Sequence, residues 1–325
     1  MKRRHVLAAG FSVALPTASR AQPASLPRIA YVSGRSLGGD GHLLQAFREG
    51  LKSEGFVDGQ NVTIDVRWAN GDFSKVPGLA RELISLKPAV IVAVGGSPVG
   101  VAVKKETATI PIVFGASADP VELGLVSNPN RPEGNLTGMT LWADELGAKR
   151  LELVREFVPA VQKVALLTNP ANPGVATEQS AMQAASQPLG IQLETFDISS
   201  TSEIDRTFEQ IPAGKFDALV VTTDAFLISR REKIVGWAAL RRLPAIYPSR
   251  EFPESGGLAS YGTRWAAMYL IAGSYAGRIL KGAKPADLPV QRPTTYELVI
   301  NNRSAKSIGL TISQSLLARA DAVIG

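Results

Sequence analysis

The residues best placed to do chemistry in this chain stand directly after short apolar runs. Residues 89–94 (AVIVAV) lead into Gly95, Gly96, Ser97 and Pro98. Residues 112–114 lead through Ala116, Ser117 and Ala118 to Asp119 and Pro120, and residues 218–221 lead into Thr222, Thr223 and Asp224. The first run of the chain, RIAYVS, stops at Ser33, which joins the candidate ligand-binding set. Ser97 suits a helix N-cap and Pro98 the first helical position, leaving backbone N–H groups and the positive helix end free to take a carboxylate; an ordinary capped helix fits the same residues. Asp119 and Asp224 are expected to face one another and accept an ammonium or hydroxyl group. Each also fits a cap or turn, Asp119 before Pro120 especially. Tyr247, Ser249, Arg250 and Tyr261 gather where the second half of the chain ends, where aromatic rings wall a ligand or fill a core.

Other chemistries find weaker footing. Gly95-Gly96-Ser97-Pro98-Val99 nearly matches the esterase pattern G-x-S-x-G, but Val99 breaks it and the base would have to be His42 from a different loop. The Gly-rich stretch 34–42 lacks both the G-x-G-x-x-G spacing and a P-loop lysine, and reads as a flexible loop at a cleft edge. The chain has no cysteine, which removes thiol nucleophiles and cysteine metal sites, and its two histidines are His5 and His42. No cofactor and no metal is implied.

The elements that must position these residues alternate in type. Strand-like runs at Arg28–Ser33, 62–68, 89–94 and 112–114 are separated by helical stretches at 42–54, 73–85 and 98–107, where apolar residues recur on one face. Residues 128–135 (NPNRPEGN) read as an exposed connection near a domain boundary. Beyond a helix at 144–157 the pattern restarts, with strands at 163–167, 192–196, 218–221 and 245–247 and helices near 175–189, 202–210 and 229–241. The expected fold is α/β, two doubly wound parallel-sheet lobes with helices on both faces. Ligands of such sheets bind beyond the carboxyl ends of the strands, so facing lobes enclose a cleft.

The first twenty-one residues give an address. Lys2, Arg3 and Arg4 precede an apolar run at 6–15, and Ser19-Arg20-Ala21 presents small residues to a signal peptidase. The leader fits both an ordinary export signal and the twin-arginine variant. Lys2, Arg3, Arg4 and Arg20 leave with it, so a formal charge of +6 falls to about +2, 31 basic against 29 acidic residues, and nucleic acid is not an expected partner. With no cysteine to accept lipid after the leader, the mature protein is expected free in the periplasm, as a monomer.

Three segments carry a family resemblance: LPAIYPSREFPESGGLASYG at 243–262, GRILKGAKPADLPVQRPTTYELVINNRSAKSIGLTI at 277–312, and ADPVELGLVSNPNRPEGNLTG at 118–138. They resemble the ABC-transporter substrate-binding proteins of the tryptophan-binding-protein-like family. The resemblance implies a type I periplasmic-binding-protein fold, two lobes joined by a three-crossover hinge. The first lobe would comprise 28–138 with about 256–283, the second 139–255 with about 284–325, and the helix Trp265–Leu280 would pack on the first. It also implies a small-molecule ligand, an amino acid, aromatic or carboxylate compound, and an ABC permease as partner. The ligand carboxylate would lie at the Ser97-type helix end and polar groups at Asp119 and Asp224. Where many relatives read Tyr-Gly-Thr-Asp, this chain reads Tyr261-Gly262-Thr263-Arg264; a guanidinium facing the cleft would favour an extra carboxylate, and a surface arginine opening a helix fits equally.

Overall fold

The computed structural model describes residues 26–141 and 143–325; the leader expected at residues 1–21 lies outside them. The first sheet contains β1 (Arg28–Ser33), β2 (Thr63–Trp68), β3 (Val90–Val94), β4 (Ile112–Ala116) and β5 (Leu136–Thr140), all parallel, in the spatial order β2-β1-β3-β4-β5. Helices α1 (Leu37–Ser53), α2 (Val76–Ser85) and α3 (Ser97–Glu106) connect its first four strands. Period-2 alternation divides each central strand between two apolar layers. Ile29, Tyr31, Val90 and Val92 pack on the α1 side, and Ala30, Val32, Ile91 and Ala93 pack with α2 and α3 on the other. β3 is therefore buried along its whole length, as a parallel strand covered on both faces must be.

The second lobe is larger than the alternation of the sequence suggests. Its helices are α4 (Ala143–Phe157), α5 (Val175–Ser186), α6 (Glu203–Gln210), α7 (Ala225–Ser229), α8 (Arg231–Leu240) and α9 (Glu251–Glu254). Its sheet has seven strands, not four, in the order β12-β11-β10-β9-β8-β6-β7. Four were expected: β6 (Lys163–Thr168), β7 (Gln192–Asp197), β8 (Ala218–Val221) and β9 (Ala245–Tyr247). The others are β10 (Ala259–Thr263), β11 (Tyr296–Asn301) and β12 (Ala322–Ile324). Between and after them lie α10 (Trp265–Leu280), α11 (Asn302–Ser307) and α12 (Gln314–Arg319). β10 and β11 pair antiparallel, the exception to parallel pairing, because β11 re-enters from the other lobe and not through a βαβ crossover.

The chain passes between the lobes three times, and the boundaries differ from the expected 138, 256 and 284. β5 belongs wholly to the first sheet, so the first passage follows Leu141, and the 128–135 connection lies inside the first lobe. β10 is paired in the second sheet, which moves the return to Arg264. The last passage follows Gln291, because residues 288–291 run along β5: Gln291 N–H donates to Gly138 O at 2.9 Å and Thr140 N–H donates to Gln291 O at 3.0 Å. Each boundary moved because strand pairing, which is non-local, decides which lobe a segment joins.

α10 lies against α1 in the first lobe at a distance that only glycine allows. A Cβ on Gly273 would stand 2.0 Å from the Phe47 carbonyl oxygen, and one on Gly50 would stand 2.0 Å from the Leu270 carbonyl oxygen. This crossing fixes Trp265, Met268 and Tyr269, at the start of α10, beside the strand ends of the first lobe.

Candidate ligand-binding cleft

The carboxyl ends of β1, β3, β4 and β8 converge on a cavity between the lobes, the place where ligands of such sheets bind. The first lobe contributes Arg35, Val94, Gly95, Gly96 and the segment 115–117. The hinge region contributes Met139, Leu141, Trp265, Met268 and Tyr269, and the second lobe Thr223, Asp224, Ala225 and Ile228. The lobes are closed on one another: a Cβ on Gly96 would lie 3.3 Å from the Ala225 methyl, and one on Gly174 would lie 2.4 Å from that of Ala118.

The loops after β1 and β3 cross without room for side chains. Gly95 has φ +80°, and a Cβ there would meet Ser33 Oγ at 2.6 Å and Gly34 N at 2.8 Å. Ser33 accordingly does not line the cavity; its Oγ accepts the Arg35 N–H at 3.2 Å and sets the backbone that carries Arg35 inward. Gly96, at φ +127°, is the N-cap of α3, and through Gly95 and Gly96 the positive end of that helix borders the cavity.

Ser97 and Pro98 are therefore displaced from their expected roles. Ser97 is the first residue of the helix and not its cap, because the turn before it needs a conformation that glycine adopts. It is wholly buried, and its Oγ accepts the Ser117 N–H at 3.0 Å and shares a 3.0 Å hydrogen bond with Ser117 Oγ. It ties the loops after β3 and β4 together, and Ser117 is the serine that lines the cavity. Neither Ser97 nor Pro98 lines it. His42 reaches Glu251 at 3.8 Å and forms no pair with Ser97, so the esterase arrangement is not built.

Asp224 does line the cavity. It caps α7, with Oδ1 accepting from Leu227 N–H at 2.9 Å and Asn169 Nδ2 at 3.1 Å, and Oδ2 from Asn172 Nδ2 at 3.2 Å. Burial pushes its carboxyl up, and these donors offset only part of the effect. Asp119 takes the plainer role: its Oδ1 accepts the Val121 N–H at 2.7 Å in a turn, and its side chain lines a separate cavity with Glu122, Thr177 and Glu178. The expected face-to-face pair of Asp119 and Asp224 is not formed.

The remaining candidates fall outside the cavity. Tyr247 is stacked on Phe252 at 4.5 Å within the second core, and Ser249 is buried beside it in sequence, with its hydroxyl unpartnered. Tyr261 is half-buried, its ring tilted against Tyr296 at 6.3 Å. Arg250 pairs with Glu254 at 2.8 Å and Glu297 at 3.1 Å. Arg264 caps α10 with a side chain 56% exposed, pairs with Glu297 at 3.5 Å and does not line the cavity.

Two arginines that sequence reasoning passed over are central instead. Arg35 is 1% exposed in the stretch expected to be a flexible loop, most of which is the first turns of α1. Its Nε lies 3.0 Å from Asp40, its Nη2 3.7 Å from Glu251 on the opposite lobe, and its guanidinium 5.0 Å over the Trp265 ring. Burial works against its charge, but Asp40, Glu251 and a hydrogen bond to Tyr269 together outweigh it and hold the guanidinium above its ordinary value. Its position immediately beyond a strand end was the available signal. Arg150, wholly buried on α4, donates from Nη1 to Glu178 at 2.7 Å, from Nη2 to Thr223 Oγ1 at 3.0 Å and from Nε to the Tyr261 carbonyl at 2.9 Å. Glu178 in turn accepts the Thr223 N–H at 2.9 Å. The network fixes the backbone that presents Thr223 and Asp224; its signal was an arginine among Leu146, Val154 and Phe157 on the apolar face of α4.

Comparison with known proteins agrees with this architecture. Residues 30–324 match the family described as ABC transporter substrate binding protein. A tyrosine-binding protein of Clostridioides difficile is 28% identical over 267 residues, 82% of this chain and 76% of that protein. The crystal structure of an ABC domain from Streptococcus pneumonia in complex with L-Trp superposes with a TM-score of 0.85 at 28% identity, covering 92% of this chain and all of that one. A conserved domain protein from Vibrio cholerae gives 0.86 at 26% identity with the same coverage.

Proposed function

The chain belongs to the ABC transporter substrate-binding protein family, and we propose that it is a periplasmic receptor that captures a small amino-acid-like molecule and delivers it to a membrane permease. The observation that carries this reading is the cavity enclosed by both lobes at their strand ends. Ligand bound there touches the two lobes at once and stabilises the closed form over the open one, which is all the work the receptor needs to do. The ligand leaves unchanged, so the protein acts without catalysis.

The parts suit an α-amino acid. Asp224 is the acceptor for an ammonium group, and the Gly95–Gly96 turn at the start of α3, with Ser117, offers a place for the carboxylate. Val94, Met139, Ile228 and Met268 supply an apolar wall for the body of the ligand. Relatives that bind L-Trp and tyrosine support an amino-acid ligand here. A permease partner, a monomeric state and release from a cleaved leader belong to the same reading; no helix among the described residues is long and apolar enough to cross a membrane.

A thermal-shift screen of the mature protein against the twenty amino acids, followed by calorimetry, tests it. Ligand at a hundred times its Kd adds about 2.7 kcal/mol to stability, a shift easily read. Failure of every amino acid to raise the melting temperature would discard the amino-acid reading.

A further inference from the structure

The polar complement of the cavity extends beyond what an amino acid backbone needs. Tyr269, 4% exposed, lines the cavity with a hydroxyl that has no hydrogen-bond acceptor. Trp265 lines it too, and its Nε1–H is buried without an acceptor. Arg35 stands beside both and is already engaged: its Nε lies 3.0 Å from Asp40, its guanidinium lies 5.0 Å over the Trp265 ring, and it hydrogen-bonds the Tyr269 oxygen, leaving the Tyr269 O–H without an acceptor. Burial pushes the Tyr269 phenol up to about 12, so it keeps its proton at neutral pH. Orphaned buried donors are costly, and two on neighbouring residues of one cavity wall call for an acceptor from outside the protein.

Charge decides what kind of acceptor. The single positive charge of Arg35 already faces Asp40 at 3.0 Å and Glu251 at 3.7 Å, and Asp224 lines the same cavity. A carboxylate placed against Arg35 would be a third anion on one guanidinium, whereas a hydroxyl or carbonyl would satisfy the donors at no electrostatic cost. Resting on the receptor reading above, we infer that the ligand side chain ends in a neutral hydrogen-bond acceptor received by Tyr269 and Trp265, and that this wall discriminates against both plain hydrocarbon and acidic side chains. Sites built to bond a polar group reject the analogue that lacks it far more strongly than apolar pockets reject a missing methylene.

Two matched triads of L-amino acids test this by calorimetry: phenylalanine, tyrosine and 4-carboxyphenylalanine; and leucine, glutamine and glutamate. In whichever triad binds, the neutral polar member should bind about tenfold or more tighter than the apolar one and tighter than the acid. Tyr269→Phe and Trp265→Phe, each removing one donor, should shrink that ratio, with the melting temperature of each unliganded variant reporting whether it folds. Apolar members binding as well as polar ones, acidic members binding best, or an unaltered ratio in both variants would overturn the inference and leave the receptor reading standing. Binding of none of the six would overturn the receptor reading for these ligands, and this inference with it.

Discussion

Arg35 and Glu251 meet across the cleft, the Arg35 Nη2 lying 3.7 Å from Glu251 Oε1, with one residue supplied by each lobe. Both are almost wholly buried, and Glu251 has no hydrogen bond to either oxygen. The pair therefore joins the lobes in their closed arrangement, and Arg35 is itself part of the cavity wall. Replacing Glu251 with Gln should shift the protein toward its open form and weaken ligand binding about tenfold, since truncating a buried charge pair leaves the partner under-compensated. Small-angle scattering with and without ligand reads the shift. An unchanged radius of gyration and affinity would mean that the pair has no part in closure.

Gly174 makes a steric counterpart to that contact. A Cβ there would lie 2.4 Å from the Ala118 Cβ on the opposite lobe, while the local backbone, at φ −84°, suits any residue. Gly174→Val should therefore leave each lobe folded and obstruct their approach. The expected signature is an unliganded melting temperature close to that of the parent with affinity reduced tenfold or more. Parental affinity would show that closure does not require this contact.

Asp224 should give ligand binding a defined pH dependence. Its carboxyl is pushed up by burial, so it keeps its proton to a higher pH than in the unfolded chain. That contribution to folding stability is present at low pH and lost as pH rises through the raised value. Capture of an ammonium ligand runs the other way, because it requires the ionised carboxylate, and affinity should fall as pH drops through the same range. Asp224→Asn should abolish the dependence and cost about 2–5 kcal/mol of binding; calorimetry across pH on both proteins measures it.

The Arg150–Glu178 pair, at 2.7 Å, should matter for stability more than for contact with ligand. Burial lowers the Arg150 value and raises that of Glu178, so each carries a desolvation cost that the other offsets. Arg150→Met leaves Glu178 buried without its cation and should cost about 3–5 kcal/mol, visible in urea unfolding. Replacing both with apolar residues should recover much of that loss while leaving binding impaired, because Thr223 loses the groups that position it.

Much of the fold was legible because it is written in local periodicity. The Val90–Val94 and Ala218–Val221 runs are apolar on both faces and became central strands. The helix Trp265–Leu280, expected from the family resemblance and not from periodicity, has those bounds. Asp224 was legible by the same rule, a polar residue directly after a central strand. Ser97 misled because its side chain satisfies a neighbouring loop, a bond to Ser117 twenty residues away that no local pattern encodes. Arg35 was missed because its burial depends on Asp40 from its own lobe and Glu251 from the other.

By itself the sequence determined that the chain makes two α/β lobes with ligand-competent groups at the strand ends, because alternation and apolar runs act within a few residues. Only the tertiary structure decided which of those groups share a cavity. β10 joins the second sheet, α10 crosses α1 at Gly273 and Gly50, and the closed lobes bring Arg35, Trp265, Tyr269 and Asp224 around one space. Those outcomes turn on strand pairing, helix contact and ion pairing between residues far apart in the chain, where the sequence carries no period to read.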